Sequence, residues 1–291
     1  MRQAVTKAQA IFLAAQTNLF QYAARKFKLE SIQEMKTGTK ILRHFAKKMQ
    51  FELVEKSKRL PNPTFDNVKL VLALYSLVHR NPIFVQVGAY DGQSGDPVFE
   101  YVRAGKMKCL LVEPIETSFQ KLKKLYDGVP HVHLVQAAIA DSDGEIPMYK
   151  VRQGSQSESV PRGGLASLDK AHLLQHRIKE SDIEEVRVPS LTLKSLLAKF
   201  GLPRIDILQI DTEGFDAEVV RMALALDSIP GCINFENMHL GAEEKSALYD
   251  SLTRRGYFYS HDYMNTMALH CRLTEGLIDL CQGKRILPTE F

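Results

Sequence analysis

The chain has 291 residues, of which 45% are hydrophobic and 25% charged, the balance of an ordinary globular protein. A formal charge of +4 does not call for a nucleic-acid partner, and with no run of about 18 apolar residues no transmembrane helix is expected. None of Cys109, Cys232, Cys271 and Cys281 forms a C-x-x-C pair, so free thiols in a reducing compartment, the cytoplasm, are expected.

Residues 1–29 contain no Asp or Glu and carry Arg2, Lys7, Arg25, Lys26 and Lys28. Apolar residues at Val5, Ala8, Ile11, Phe12, Ala15, Leu19, Ala23 and Phe27 follow helical spacing. Such a start suits a packing helix, a helix on an acidic membrane surface, or a mitochondrial transit peptide. A second, lysine-rich helical stretch over Ser31 to Lys58 is closed by Pro61-Asn62-Pro63. Residues 1–63 are therefore read as a helical extension through which chains would self-associate, and residues 64–291 as the main domain. Thr64 or Asp66 caps a helix through Leu77, with Val68, Val71, Leu72 and Tyr75 on its apolar face.

After Asn81-Pro82 strand and helix alternate. The predicted strands are Ile83 to Val87, Cys109 to Glu113, Val132 to Ala137, Ile205 to Ile210 and Cys232 to Glu236. The predicted helices are Pro97 to Ala104, Ile115 to Tyr126, Leu191 to Phe200, Ala217 to Leu226 and Glu243 to Arg254. Alternation of this kind predicts βαβ units and a mostly parallel sheet with helices on both faces. Tyr257 to His261 and Met267 to Cys271 are predicted to add an antiparallel pair at the sheet edge. Arg152 to Gly164 is polar, rich in Ser and Gly and without an apolar period, the composition of a lid loop.

Two clusters carry chemistry. In the first, Val87-Gly88-Ala89-Tyr90-Asp91-Gly92 ends one apolar run, and Glu113-Pro114 ends the next. In a parallel sheet these run ends lie side by side at the carboxyl edge, where ligands bind. Gly88 and Gly92 would let a ligand approach the backbone, and Glu113 offers two acceptors to a ribose diol. The G-x-x-x-G spacing argues against the dinucleotide fingerprint, which needs G-x-G-x-x-G and tolerates no acid beside a pyrophosphate. S-adenosylmethionine, with a ribose, an ammonium and a sulfonium, fits the acids better. In the second cluster, Ile210-Asp211-Thr212-Glu213-Gly214-Phe215 and Glu236-Asn237-Met238-His239 end the next two runs. Four ionisable groups on neighbouring strand ends are hard to explain by stability alone. Glu213 is expected to serve the start of the following helix.

Together, Val87-Gly88-Ala89-x-Asp91-Gly92, Val112-Glu113-Pro114, Ile210-Asp211-x-Glu213-Gly214-Phe215 and Glu236-x-x-His239 resemble the FkbM family of S-adenosylmethionine-dependent methyltransferases, over residues 82 to 262. The resemblance implies a Rossmann-like class I methyltransferase fold and O-methylation of a hydroxyl on a sugar, glycan or natural product. It implies that Gln86 and the Gly88–Gly92 turn surround the methionine end of the cofactor, that Glu113, with Pro114 beside it, holds the ribose, and that Ala140 and Asp141 meet the adenine; Asp211 is a further candidate contact to the cofactor. Three positions depart from the family pattern: Gln86 and Lys194 stand where acids are usual, and Gln209 where lysine is usual.

The expected chemistry is attack of the hydroxyl on the sulfonium methyl, with Asp211 or His239 as base. Alternatively a divalent ion on Asp211, Glu236 and His239 acidifies the hydroxyl. Arg152, Arg162, His172, His176 and Arg177 gather around the polar loop, which suits an anionic or glycan acceptor. The competing readings are a non-catalytic nucleoside-binding scaffold and an NAD-dependent oxidoreductase.

Overall fold

Ile83-Phe84-Val85-Gln86-Val87 is buried at all five positions, the pattern of a strand covered on both faces, and it forms the middle of the sheet. The computed structural model describes residues 81–94, 96, 98–105, 107–155, 165–261 and 263–273, together with Val68, Val71, Leu72 and Tyr75. The chain divides into two units, Met1–Arg80 with Cys271–Phe291, and Asn81–His270. The expected boundary after residue 63, the extension before it, and loop residues 156–164 lie outside the described residues. Val68, Val71, Leu72 and Tyr75 are helical, as their spacing predicts.

In chain order the second unit contains β1 (Ile83–Val87), α1 (Phe99–Arg103), β2 (Lys108–Val112), α2 (Glu116–Leu125), β3 (Val132–Val135), β4 (Ala138–Ile139), β5 (Gly144–Val151) and β6 (Ala166–Ser167). There follow α3 (Lys170–Gln175), β7 (Ile183–Leu191), α4 (Leu193–Lys199), β8 (Ile207–Ile210), α5 (Asp216–Leu224), β9 (Cys232–Glu236), α6 (Ala242–Arg254), β10 (Tyr257–His261) and β11 (Asn265–His270). Seven strands form one sheet in the order β10-β11-β9-β8-β1-β2-β3. β3, β2, β1, β8 and β9 are parallel. From β1 the chain moves one way through β2 to β3, and from β8 the other way to β9. Right-handed crossovers then put α1 and α2 on one face and α5 on the other. The reversal between β1 and β8 opens a crevice at their carboxyl ends. Phe84, Leu110, Leu111, Leu208, Ile210, Ile233 and Phe235 fill the centre, all fully buried.

Two features differ from expectation. The antiparallel pair does lie at the sheet edge, but its outermost strand is not the antiparallel one: β11 lies between β9 and β10, so β10 runs with the parallel strands. The side chains decide this, because Thr266, Met267 and Ala268 are buried while Phe258 to His261 are exposed. The second difference is a further four-stranded sheet, β4-β7-β5-β6. Its long pair runs from Gly144↔Ser190 to Val151↔Ile183. One face of β7 is buried through Val188 and Ser190, and the other exposes Glu185, Arg187 and Pro189. Those charges, with Pro147 and Pro189, interrupt the apolar signal that marks a strand. β3 accordingly stops at Val135, and Ala138-Ile139 passes to the second sheet.

Cys109 and Cys232 are buried free thiols and Cys271 is half-buried; Cys281 is outside the described residues. Among the described residues no helix is long and apolar enough to cross a membrane.

Candidate active site

The turn after β1 is bonded to its own neighbours. The N–H groups of Gly88 and Ala89 both donate to the Val112 carbonyl at 3.0 Å, and that of Gly92 donates to Ala89 at 2.9 Å. Tyr90 N–H donates to Glu113 Oε2 at 2.9 Å, which holds Tyr90 at φ 47°, a backbone region costly for a side-chain-bearing residue. With the N–H groups of Gly88, Ala89, Tyr90 and Gly92 committed, such a turn lacks the row of amides that cradles a phosphate; it presents acceptors instead. The glycines also have a packing role. A Cβ on Gly88 would stand 1.7 Å from the Asp211 carbonyl oxygen, and one on Gly92 would stand 2.5 Å from Leu122 and 2.9 Å from Tyr126. Both sit at positive φ, so they serve the packing of the turn on β8 and α2.

Glu113 is buried at the end of β2. Its Oε1 accepts from Ile115 N–H at 2.8 Å, across the buried Pro114. Burial pushes its carboxyl up to about 7 against the pull of the two N–H donors, and Asp211 adds to the rise. Each oxygen has one backbone donor and keeps a lone pair for a hydroxyl. Gln86 is buried, and its Oε1 has no hydrogen-bond partner. Its Nε2 donates to Asp96 Oδ2 at 3.2 Å. Burial pushes Asp96 up to about 6, opposed by bonds from Val98 N–H and Gln86. A carboxylate therefore reaches the place where Gln86 lacks one. Asp91, expected to meet the cofactor, organises its own loop by accepting from Gln93 N–H, Ser94 N–H and Ser94 Oγ. Burial alone would raise its carboxyl, but these bonds and Lys121 hold it below the usual range. Ala140 N–H closes β4 onto the Leu191 carbonyl at 3.0 Å, and Asp141 beyond it is exposed.

On the β8 side Asp211 N–H donates to the Val87 carbonyl at 2.9 Å, which fastens the two strand ends together. The residue as a whole is exposed. The surrounding protein, and then the charges of Glu213, Asp216 and Asp96, push it up to about 7. Glu236 at the end of β9 is pushed up to about 8, by burial first and then by Asp211, Glu213 and Asp216. Asp216, which the sequence reading passed over, is buried and accepts from Thr212 N–H, Thr212 Oγ1 and Glu236 N–H. It ties the β8 turn to β9, the helix-start role expected of Glu213. Burial raises its carboxyl despite these bonds. Glu213 is held at φ 53°, its carbonyl accepts from Ser167 Oγ at 2.6 Å, and its carboxylate lies 3.2 Å from His172 Nε2.

The metal set expected from the sequence does not assemble as Asp211, Glu236 and His239. The group that closes is His172, His176, Glu213 and His239, whose ligand atoms all lie within 4.8 Å of one another. Glu236 Oε2 touches His239 Nε2 at 3.3 Å and Asp211 is outside the group. His172 and His176 lie four residues apart at α3, a spacing that puts both on one helical face. The sequence had placed them with the polar loop. Gln209, where lysine is usual, is buried and accepts from Asn234 Nδ2 at 2.9 Å. That neutral pair between β8 and β9 needs no counter-charge. Lys194 is exposed at the start of α4.

A parallel sheet with a reversed strand order, one antiparallel strand set next to its edge, and carboxylates gathered at the carboxyl ends of β1, β2, β8 and β9 together define a Rossmann-like class I methyltransferase domain. The methyltransferase FkbM domain matches residues 86–259, more than half of the chain, and the chain belongs to that family. Similar solved structures include the methyltransferase FkbM from Methylobacillus flagellatus KT, at 13% identity and TM-score 0.39 over 65% of this chain and 43% of that one. A methyltransferase from Geobacter sulfurreducens matches at 11% identity and TM-score 0.38, over 86% of this chain and 97% of its own. Aeropyrum pernix fibrillarin, in complex with natively bound S-adenosyl-L-methionine, matches at 10% identity and TM-score 0.32, over 69% of this chain and 73% of its own. The chain spans less than half the length of the Methylobacillus protein, and no protein of curated function matches it. Membership of a methyltransferase family sets aside the NAD-dependent oxidoreductase reading.

Proposed function

We propose that the domain is an S-adenosylmethionine-dependent O-methyltransferase acting on a hydroxyl of a small-molecule or glycan acceptor. The observation that carries this is the turn after β1. Four of its five N–H groups are bonded within the fold, and the acids Glu113, Asp96 and Asp211 gather at the strand ends beside it, which favours a cationic ligand over a phosphate. The unpartnered Gln86 Oε1 and the Asp96 carboxylate fit an ammonium, and the free lone pairs of Glu113 fit a ribose diol.

When bound, the cofactor supplies an electrophilic methyl whose bond electrons leave with sulfur. The chain supplies the rest. Asp211, accessible and with its carboxyl near 7, is poised to take the hydroxyl proton as the new O–C bond forms, because a base works best with a pKa near the operating pH. The crevice holds the two reactants together, which makes the step effectively unimolecular.

Titration calorimetry with S-adenosylmethionine, followed by transfer of labelled methyl to a panel of hydroxyl-bearing acceptors, tests this reading. Binding with turnover supports it. Binding without turnover on any acceptor favours the non-catalytic scaffold, and no binding by the folded protein removes both.

A further inference from the structure

The geometry points to a first-row transition-metal site at His172, His176, His239 and Glu213, on the acceptor side of the crevice. Three imidazoles and one carboxylate suit zinc and its neighbours, whereas magnesium and calcium prefer oxygen ligands. Ligand atoms about 2.0–2.2 Å from a four-coordinate ion lie roughly 3.3–3.6 Å apart. His172 Nε2 and Glu213 Oε2 already stand 3.2 Å apart, and all four ligand atoms fit within 4.8 Å, so small side-chain rotations close the set.

The surrounding fold holds these groups in place. Gly214, at φ 103°, leaves room for the His172 ring, because a Cβ there would stand 2.9 Å from His172 Nδ1. That ring edge is packed, and Nε2 is the edge turned to Glu213. Glu213 keeps its unfavourable φ of 53° under the hydrogen bond from Ser167. The His239 ring lies edge-on to His172 at 4.4 Å and to His176 at 5.1 Å. Glu236 Oε2 stands 3.3 Å from His239 Nε2; with the ion on Nδ1 it would be the carboxylate that orients a metal-bound imidazole.

Two of the four groups, His176 and His239, also line a cavity of about 530 Å³ with Gln175 and Arg177. An ion at the cluster would therefore border open space, where an acceptor oxygen takes a further coordination position. Arg177, at φ 63° just past α3, would pair with an anionic group on that acceptor. The metal site stands on its own geometry; its use by an acceptor oxygen rests on the methyltransfer reading above.

The test uses the full chain, stripped with a chelator and titrated with Zn2+ in a calorimeter without cofactor, and with Co2+ followed by visible absorption. One equivalent of metal per chain is expected, with Co2+ bands of a four- or five-coordinate nitrogen and oxygen site. His176→Gln and Glu213→Gln, each checked for folding by circular dichroism, should each weaken Zn2+ binding at least about tenfold. If His176→Gln does not fold, His239→Gln takes its place. No stoichiometric binding by the folded chain, or unchanged affinity in folded variants, overturns the site. Metal binding by a chain that does not bind S-adenosylmethionine would uphold the site and remove the methyltransfer reading. Cofactor binding by a chain that takes no metal would do the reverse.

Discussion

On the β2 side of the crevice, Glu113 is buried with one backbone N–H on each carboxylate oxygen. On the β8–β9 side, Asp211, Glu213 and Glu236 are more accessible; the surrounding protein, and then Glu213 and Asp216, raise the carboxyls of Asp211 and Glu236, and Asp211 adds to the rise of Glu236. The first arrangement is preorganised, with its donors supplied by the fold. The second gathers negative charge and imidazoles that the fold itself does not neutralise. A binding subsite and a reacting subsite differ in this way: one is satisfied before the ligand arrives, the other is completed by it.

Four experiments break or sharpen that contrast. The largest effect is expected where the two sides touch. Gly88→Ala drives a Cβ into the Asp211 carbonyl, and backbone cannot rotate away as a side chain can, so a loss of at least about 4 kcal/mol or outright failure to fold is expected. Gly128→Ala is the control, since Gly128 shares the positive φ but has nothing within 4 Å of the added Cβ; it should cost only about 1–2 kcal/mol. Equal melting temperatures for the two variants would show that the contact is slack. Next, Asp211→Asn should lower turnover at least about a hundredfold, the scale of general-base catalysis, while leaving cofactor affinity close to wild type. Wild-type turnover would remove the base assignment.

Glu113→Ala should do the opposite, weakening cofactor binding by about 1–3 kcal/mol in a folded protein; unchanged affinity by calorimetry would refute the ribose assignment. The smallest effect is the pH dependence. Glu113 and Asp96 have carboxyls raised to about 7 and about 6, so in the folded protein they hold protons that the unfolded chain has already released. Between about pH 4 and 7 their contribution to stability therefore falls as pH rises. Their ionised forms are the ones that attract a cation, so the rise in melting temperature produced by the cofactor should grow from pH 5.5 to 8. A cofactor-induced shift that is flat over that range would exclude these two carboxyls. Asp91 and Asp211 face the same crevice, and Asp91, held low, stays charged throughout.

Much of this was legible in the chain. Buried parallel strands read as continuous apolar runs, so β1, β2, β8 and β9 stood out, and the acids ending those runs marked the functional edge. Glu113 and Asp211 were found because a strand end fixes where its next residue lies. Asp96 was not, because it approaches Gln86 through a loop whose path no periodicity records. His172 and His176 were visible only as basic residues near a polar stretch; their distance of about 40 residues from Glu213 and more than 60 from His239 is bridged by a sheet whose charged outer face hid it. The sequence by itself determined the alternation of strand and helix, the family and the chemistry gathered at the carboxyl edge, since these rest on local periodicity and short motifs. Only the tertiary structure decided the place of β11, the purpose of Gly88 and the company His239 keeps, because these depend on contacts between residues far apart in the chain.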